Sequence, residues 1–282
     1  MFKWLAPRPA TPQPEALAAR IAAAQDPNLA TLSFQKFHDL IPSPQAAIDI
    51  FKGRWASSFP ELDPPVVAGG SPLFTIDHRP RQAGAAFGGE TARLDGFKVV
   101  ELGPLEGGHT YQLEELGADV IAIEGNAEAY LKCLIAKEIL GMNSKFLLGD
   151  FIKYLEAVEQ PFDLVFASGV LYHMVQPLRL IELICQASDR AFLWTHYYDP
   201  ERCTVFQGAV IEHAGLSVEH FRKGYGDQTH GQFWGGLADA ACWLPRDEIL
   251  RAFQAFGHSQ VEVLETNLDH PAGPCFTIVT SR

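Results

Sequence analysis

The chain has 282 residues, with 22 Lys and Arg against 34 Asp and Glu, a formal net charge of −12, 47% apolar residues and 20% charged ones. That composition excludes a disordered chain, a collagen-like repeat and a disulfide-dense scaffold, and no apolar run reaches the roughly 20 residues that span a bilayer. The acidic balance weighs against a nucleic-acid partner.

In chain order, Met1–Pro9 is rich in Pro and lacks the apolar centre of a signal peptide, so a cytoplasmic protein is expected. Leu17 and Ile21, four apart, predict a helix over Glu15–Gln25. A second helix is predicted from about Pro44 to Phe51, before the turn-rich stretch Pro60-Glu61-Leu62-Asp63-Pro64-Pro65. Residues 1–95 read as a partly helical N-terminal cap. They carry nine basic and nine acidic side chains, so the whole −12 falls on 96–282.

From Gly96 short apolar runs alternate with helix-length segments. The runs are Phe97–Leu102, Val120–Ile123, Phe146–Leu148, Phe162–Ala167 and Ala191–Trp194. The long helix after the second run places Tyr130, Leu134, Ile135 and Ile139 on one face. Continuous apolar strands alternating with helices predict an α/β fold with a mostly parallel sheet covered on both faces. Near the end a helix over Pro245–Phe256 precedes strands Gln260–Glu265 and Cys275–Thr280. No helix fits between those two, so they are expected to form an antiparallel hairpin. Residues 198–243 interrupt the rhythm with aromatics (Phe206, Phe221, Tyr225, Phe233, Trp234, Trp243), histidines (His213, His220, His230) and glycines. They read as a loop-rich insertion, a lid or substrate-binding element. Cys133, Cys185, Cys203, Cys242 and Cys275 form no close pair and read as reduced thiols.

The ends of the strands carry the chemistry, because ligands of such sheets bind at the carboxyl ends of the strands. The first run ends in Glu101-Leu102-Gly103-Pro104-Leu105-Glu106-Gly107-Gly108, a turn that lets a ligand approach the backbone. It is not the dinucleotide fingerprint, since Leu105 stands where the second glycine would be. Glu124, 21 residues after Gly103, ends the second run at a distance that suits a ribose-binding carboxylate. Asp150-Phe151 ends the third, with an acceptor for an adenine amino group and a ring for the base, although Asp150 equally suits a helix cap. Ser168-Gly169 ends the fourth.

These residues together resemble the class I S-adenosylmethionine-dependent methyltransferases over about 96–197, and the terminal hairpin extends the likeness. The resemblance implies a Rossmann-like seven-stranded sheet and S-adenosylmethionine as cofactor, leaving as S-adenosylhomocysteine. It implies that Glu101 and the Gly103, Pro104, Gly107 loop hold the methionine end, Glu124 with Gly125 and Asn126 the ribose, and Asp150 with Phe151 the adenine, with Ser168 and Gly169 beside them. Pro104-Leu105-Glu106 departs from the family, which more often has another glycine there. Gly169-Val170-Leu171-Tyr172-His173-Met174-Val175-Gln176-Pro177 resembles a segment of the transfer-RNA wobble-uridine carboxymethyltransferases and their small-molecule-methylating relatives. The RNA enzymes use a carboxylated cofactor held by extra cations. The acidic catalytic half and the lack of a basic stripe favour a small-molecule acceptor.

Methyl transfer from a sulfonium needs positioning, exclusion of water, and a base only where the nucleophile loses a proton. His173 and His196 are the candidate bases and Tyr172 a pocket wall. No tight ligand spacing supports a metal, and Glu212-His213 is a lone pair. Phe51-Lys52-Gly53-Arg54-Trp55 is a candidate cover for the cofactor. Asp77-His78-Arg79-Pro80-Arg81 reads as a solvated basic cluster, or else as a binder of an anionic group. The other readings are a nucleotide-binding oxidoreductase, which Leu105 disfavours, and a non-catalytic cofactor-binding protein.

Overall fold

The computed structural model describes residues 37–203, 207–225, 236 and 238–282. The helix expected over Glu15–Gln25, and Phe206, His230, Phe233 and Trp234, lie outside the described residues. The elements in order are α1 (Pro44–Ile48), α2 (Arg79–Phe87), β1 (Lys98–Leu102), α3 (Gly108–Glu115), β2 (Asp119–Glu124), α4 (Ala127–Leu140), β3 (Lys145–Leu148), α5 (Phe151–Ala157), β4 (Leu164–Ser168), α6 (Pro177–Ala187), β5 (Arg190–His196), β6 (Gln207–His213), β7 (Leu216–Gly224), β8 (Ala240–Trp243), α7 (Arg246–Ala255), β9 (Gln260–Asn267) and β10 (Cys275–Ser281). Among these helices none is long and apolar enough to cross a membrane.

Seven strands form one sheet in the order β3-β2-β1-β4-β5-β10-β9. β1 to β5 run parallel, and β10 is antiparallel to both β5 and β9. The order reverses between β1 and β4, which opens a crevice at their carboxyl ends. Alternate residues of the strands feed two layers. Val100, Leu102, Val165 and Leu193 pack with α6 and α7 through Leu180, Ile184 and Phe253. Val99, Leu164, Phe166 and Phe192 pack under α2 and α3 through Ala83 and Leu113. Glu101 shares the second face, so its carboxylate points toward α3 rather than solvent.

Local chemistry explains the helix ends. Asn126 caps α4, accepting from the amides of Glu128 (2.9 Å) and Ala129 (3.1 Å), and Gly141 closes it at φ 64°. The buried face of α4 is not the one its large side chains suggest. Small residues Ala129, Cys133 and Ala136 meet the sheet, because only they allow close approach. Leu131, Ile135 and Ile139 instead pack on the cap residues Ile48, Phe51 and Trp55, and Leu134 is exposed.

The insertion also departs from expectation. Among its described residues it is largely a three-stranded antiparallel sheet, β6-β7-β8, rather than a loop. Ala214 and Gly215 join β6 and β7 as a two-residue turn, both with positive φ (47° and 84°). That is the hairpin turn whose twist matches its strands. His213 is paired with Glu182 of α6 at 2.8 Å, so Glu212-His213 is an anchor of this small sheet.

Candidate active site

Glu101 ends up 1% exposed at the carboxyl end of β1. Thr110 donates its hydroxyl to Oε2, while Oε1 is buried and has no hydrogen-bond partner. Burial pushes the carboxyl up to about 8; the Thr110 hydrogen bond opposes this and the nearby charge of Glu124 adds to it. A buried acceptor without a donor is costly, so this oxygen marks a place for a cationic or hydrogen-bonding group.

The loop that follows is shaped by three positive φ angles: Gly103 at 68°, Leu105 at 60° and Gly107 at 87°. A Cβ on Gly103 would lie 2.7 Å from Val170 Cγ1. Leu105 takes the left-handed conformation despite its side chain. Its amide donates to Glu124 Oε2 at 3.0 Å, and its carbonyl accepts from the Cys133 thiol at 3.3 Å. The loop therefore keeps a glycine-like path at its one non-glycine bend. Glu106, the other departure, points into the cap. Its carboxylate accepts from the amides of Ala56 (3.1 Å) and Ser57 (2.8 Å) and pairs with Lys132 of α4 at 3.0 Å. Lys132 also donates to the carbonyl of Arg54, and Arg54 pairs with Glu128. The Phe51–Trp55 stretch thus folds onto α4 and the back of the loop.

Glu124 closes β2, 8% exposed. Its other oxygen accepts from the Asn126 amide at 2.8 Å. Burial raises its carboxyl, against the hydrogen bonds from Asn126, Leu105 and Gly125. Asp150 is the N-cap of α5, accepting from the Ile152 amide at 2.8 Å through Oδ1. Phe151 packs against the main core. Ser168 ends β4 and Gly169 follows it at φ 85°.

Asp77–Arg81 is a solvated basic cluster only in part: His78 and Arg81 are exposed, while Asp77 and Arg79 are not. The Asp77 and Arg79 side chains are 9% and 19% exposed and paired with each other, because α2 lays them over the carboxyl edge of the sheet. Arg79 Nη1 donates to Ser168 Oγ at 2.8 Å, and its guanidinium lies 4.7 Å above the Trp194 ring. His109, at the start of α3, meets Asp77 at 3.0 Å and stands 4.0 Å from the free oxygen of Glu101. Burial pushes the Asp77 carboxyl up, but hydrogen bonds and charge from Arg79 and His109 outweigh it and hold it well below the carboxylate range. Burial keeps His109 below its ordinary value. Sequence reasoning missed Glu106, Lys132, His109 and Thr110. Lys132 had a signal, a lone charge within the small apolar face of α4.

The candidate catalytic residues do come together. Leu171–His173 forms a short 3-10 turn after β4. The Tyr172 ring lies 4.1 Å from that of His173 and 4.7 Å from that of His196. His173 Nδ1 lies 2.6 Å from the Tyr225 hydroxyl, which itself donates toward the Tyr172 carbonyl. When the Tyr225 proton goes to the Tyr172 carbonyl, His173 donates from Nδ1 and keeps the lone pair of Nε2; when it goes to Nδ1, Nε2 carries the proton. His196 Nδ1 faces the carbonyls of Gly273 (2.9 Å) and Pro274 (3.2 Å), so its Nε2 is an acceptor. Burial takes both rings down to about 4, helped by Lys223 and His196 at His173 and by His270 at His196. Burial also lifts the Tyr172 hydroxyl to about 12. A cavity of about 320 Å³ opens at this edge, lined by Asp77, Arg79, Trp194, Glu265, His270 and Cys275 among others.

No family model matches the sequence, and no curated protein matches it. Solved structures do. The N-terminal domain of EvdMO1 with SAH bound superposes with a TM-score of 0.63 at 26% identity, covering 84% of this chain and 94% of that one. The same domain in the presence of SAH and D-fucose gives a TM-score of 0.63 at 25% identity, over the same shares. The structure named EvdMO1 alone gives 0.53 at 20% identity, and there this chain spans 46% of its length. The fold is the Rossmann-like fold of the class I methyltransferases, with the antiparallel terminal hairpin of β9 and β10 that the sequence predicts.

Proposed function

We propose that the chain transfers a methyl group from S-adenosylmethionine to an oxygen or nitrogen nucleophile of a small molecule in the cavity at the carboxyl edge. It is an enzyme of the S-adenosylmethionine-dependent methyltransferase class, with that cofactor as methyl donor. The observation that carries the reading is Glu101 Oε1, buried and unpartnered beside the Gly103–Gly107 turn at the crest of a methyltransferase sheet. It suits the ammonium of the methionine end. The bound cofactor supplies an already electrophilic methyl group.

The chain's own residues do the rest. Glu101 and the loop amides fix the amino-acid end, Glu124 with Gly125 accepts from ribose hydroxyls, and Asp150 with Phe151 borders the base. Asn126 shapes this edge as a helix cap. Tyr172, protonated at neutral pH, packs edge-on against Trp194, which lines the cavity. His173 accepts the acceptor's proton at Nε2; it is neutral at pH 7, so its lone pair is available. Tyr225 orients the ring through Nδ1. Arg79, Trp194 and His270 surround the acceptor and exclude water. The segment Gly169–Pro177 leaves an RNA-modifying enzyme with a carboxylated cofactor as the second reading. That cofactor needs a free cation, and Arg79, the cation beside Ser168, is neutralised by Asp77.

Calorimetry with S-adenosylhomocysteine, then turnover over a panel of hydroxyl and amine acceptors, tests the proposal. Absence of binding at high micromolar concentration would sink it. Mass spectrometry of any ligand retained through purification separates the plain from the carboxylated cofactor.

A further inference from the structure

The carboxyl edge carries a second set of donors, of which the transfer described above uses only the His270 ring, as a wall of the cavity. Cys275 opens β10 and pairs in register with His196, the last residue of β5. Direct cross-strand partners project from the same face, with Cβ atoms about 4.5–5.5 Å apart. The turn over 268–274 brings His270 over them, its ring centroid 4.9 Å from that of His196. One donor atom from each of the three residues lies within 4.8 Å of the others.

The surroundings suit coordination. The carbonyls of Gly273 and Pro274 hold the proton of His196 on Nδ1 and leave Nε2 as the donor. Backbone carbonyls orient metal-bound imidazoles in the same way. The Trp194 ring packs edge-on against both imidazoles, its centroid 5.1 Å from that of His196 and 6.0 Å from that of His270. His196 and Cys275 are each 3% exposed, whereas His270 and Cys275 line the open cavity.

We propose that His196, His270 and Cys275 form a binding site for a divalent cation of the zinc type, with one coordination position open to the cavity. Two imidazoles and a thiolate select zinc-like ions over magnesium or calcium, which take oxygen ligands. Three protein ligands with a fourth position open is the pattern of catalytic rather than structural zinc. Bond lengths of about 2.0–2.3 Å place tetrahedral donors roughly 3.5 Å apart, so the turn over 268–274 settles toward the sheet by about 1 Å. His270 rides on that turn, and coordination through its Nδ1 replaces the 3.1 Å hydrogen bond from the Ala272 amide. Binding forms a metal–sulfur bond and releases the Cys275 thiol proton to solvent, with no change of oxidation state. Water, or an oxygen of a molecule in the cavity, takes the open position.

The test is titration of reduced, chelator-stripped protein with Co²⁺ and Zn²⁺ alone. No cofactor or acceptor is present, so the result is independent of the methyl-transfer reading. The expected outcome is one equivalent bound, with the visible bands of tetrahedral cobalt and a thiolate-to-cobalt charge-transfer band. Cys275→Ser should remove the charge-transfer band. His270→Ala, a change in a part-exposed turn that spares the core, should weaken Zn²⁺ binding by roughly 100-fold. No saturable binding below roughly 100 µM, or binding whose band and affinity are the same in both variants, overturns the site.

Discussion

The affinity for S-adenosylhomocysteine should depend on pH through Glu101. Its carboxyl sits at about 8 in the free protein, so between pH 6 and 7 it is mostly neutral. An ammonium facing Oε1 is a partner for the anion only, so binding in this range must expel one proton. By linkage the apparent Kd falls about tenfold per pH unit from pH 6 to 7 and levels off as pH passes about 8. Above about pH 7.5 the ligand's own amine begins to matter, which makes the lower window the diagnostic one. Holding the carboxyl at about 8 instead of 4.5 disfavours the anion by ~5 kcal/mol, and the incoming positive charge offsets most of that. The same displacement acts on folding. A carboxyl raised in the native state contributes stability that is fully present below about pH 4.5 and is lost as pH rises through about 8. Calorimetry in two buffers of different ionisation enthalpy reads both Kd and the proton count. Glu101→Gln, a neutral isostere, should flatten the pH profile, bind more weakly at pH 7.5 and remove the decline in stability. A wild-type Kd that stays constant from pH 6 to 7.5, with no proton released, would refute the reasoning.

Gly103→Ala combines a positive φ with a 2.7 Å approach to Val170, and should destabilise the fold by about 1–3 kcal/mol and lower cofactor affinity, as read by thermal melting with and without ligand. Glu106→Ala leaves the Ala56 and Ser57 amides without their acceptor and Lys132 with only Glu128 and the Arg54 carbonyl, and should destabilise by ~1–3 kcal/mol in urea titrations, whereas Lys137→Ala on the same helix should cost less. Glu124→Ala should weaken S-adenosylhomocysteine binding by roughly tenfold or more; an unchanged Kd contradicts the ribose assignment. His173→Asn should lower kcat by about 10²–10⁴-fold with little change in cofactor Kd, and a kcat within threefold of wild type removes it as the proton acceptor.

The strands and their ends were legible because each is a local pattern: an apolar run, a turn residue, an acid. Glu101, Glu124 and Asp150 all fall where those patterns put them. The rest depends on long-range pairing. Glu106 meets amides some fifty positions earlier in the chain, and Arg79 reaches Ser168 across 89; no spacing rule announces either. In Asp77-His78-Arg79-Pro80-Arg81 the polar look misled at Asp77 and Arg79 alone, because opposite charges that neutralise one another can be buried, a possibility that a residue-by-residue reading of charge misses. In α4 the largest side chains failed to mark the sheet-facing side, since proximity there is limited by bulk. The insertion concealed a hairpin whose only strong signal is Ala214-Gly215.

The bond from Glu106 to Ala56 and Ser57 also bears on modularity. Composition invites a cut near residue 95, as if the remainder were a portable catalytic unit. Yet the turn that should cradle the cofactor is braced from behind by amides lying upstream of that cut. A fragment beginning at residue 96 would carry every cofactor residue named above and still expose Lys132 and the back of its own glycine turn to water. Grafting this enzyme onto another acceptor-binding element therefore means carrying the 48–57 stretch along with the sheet, or rebuilding the brace in its place.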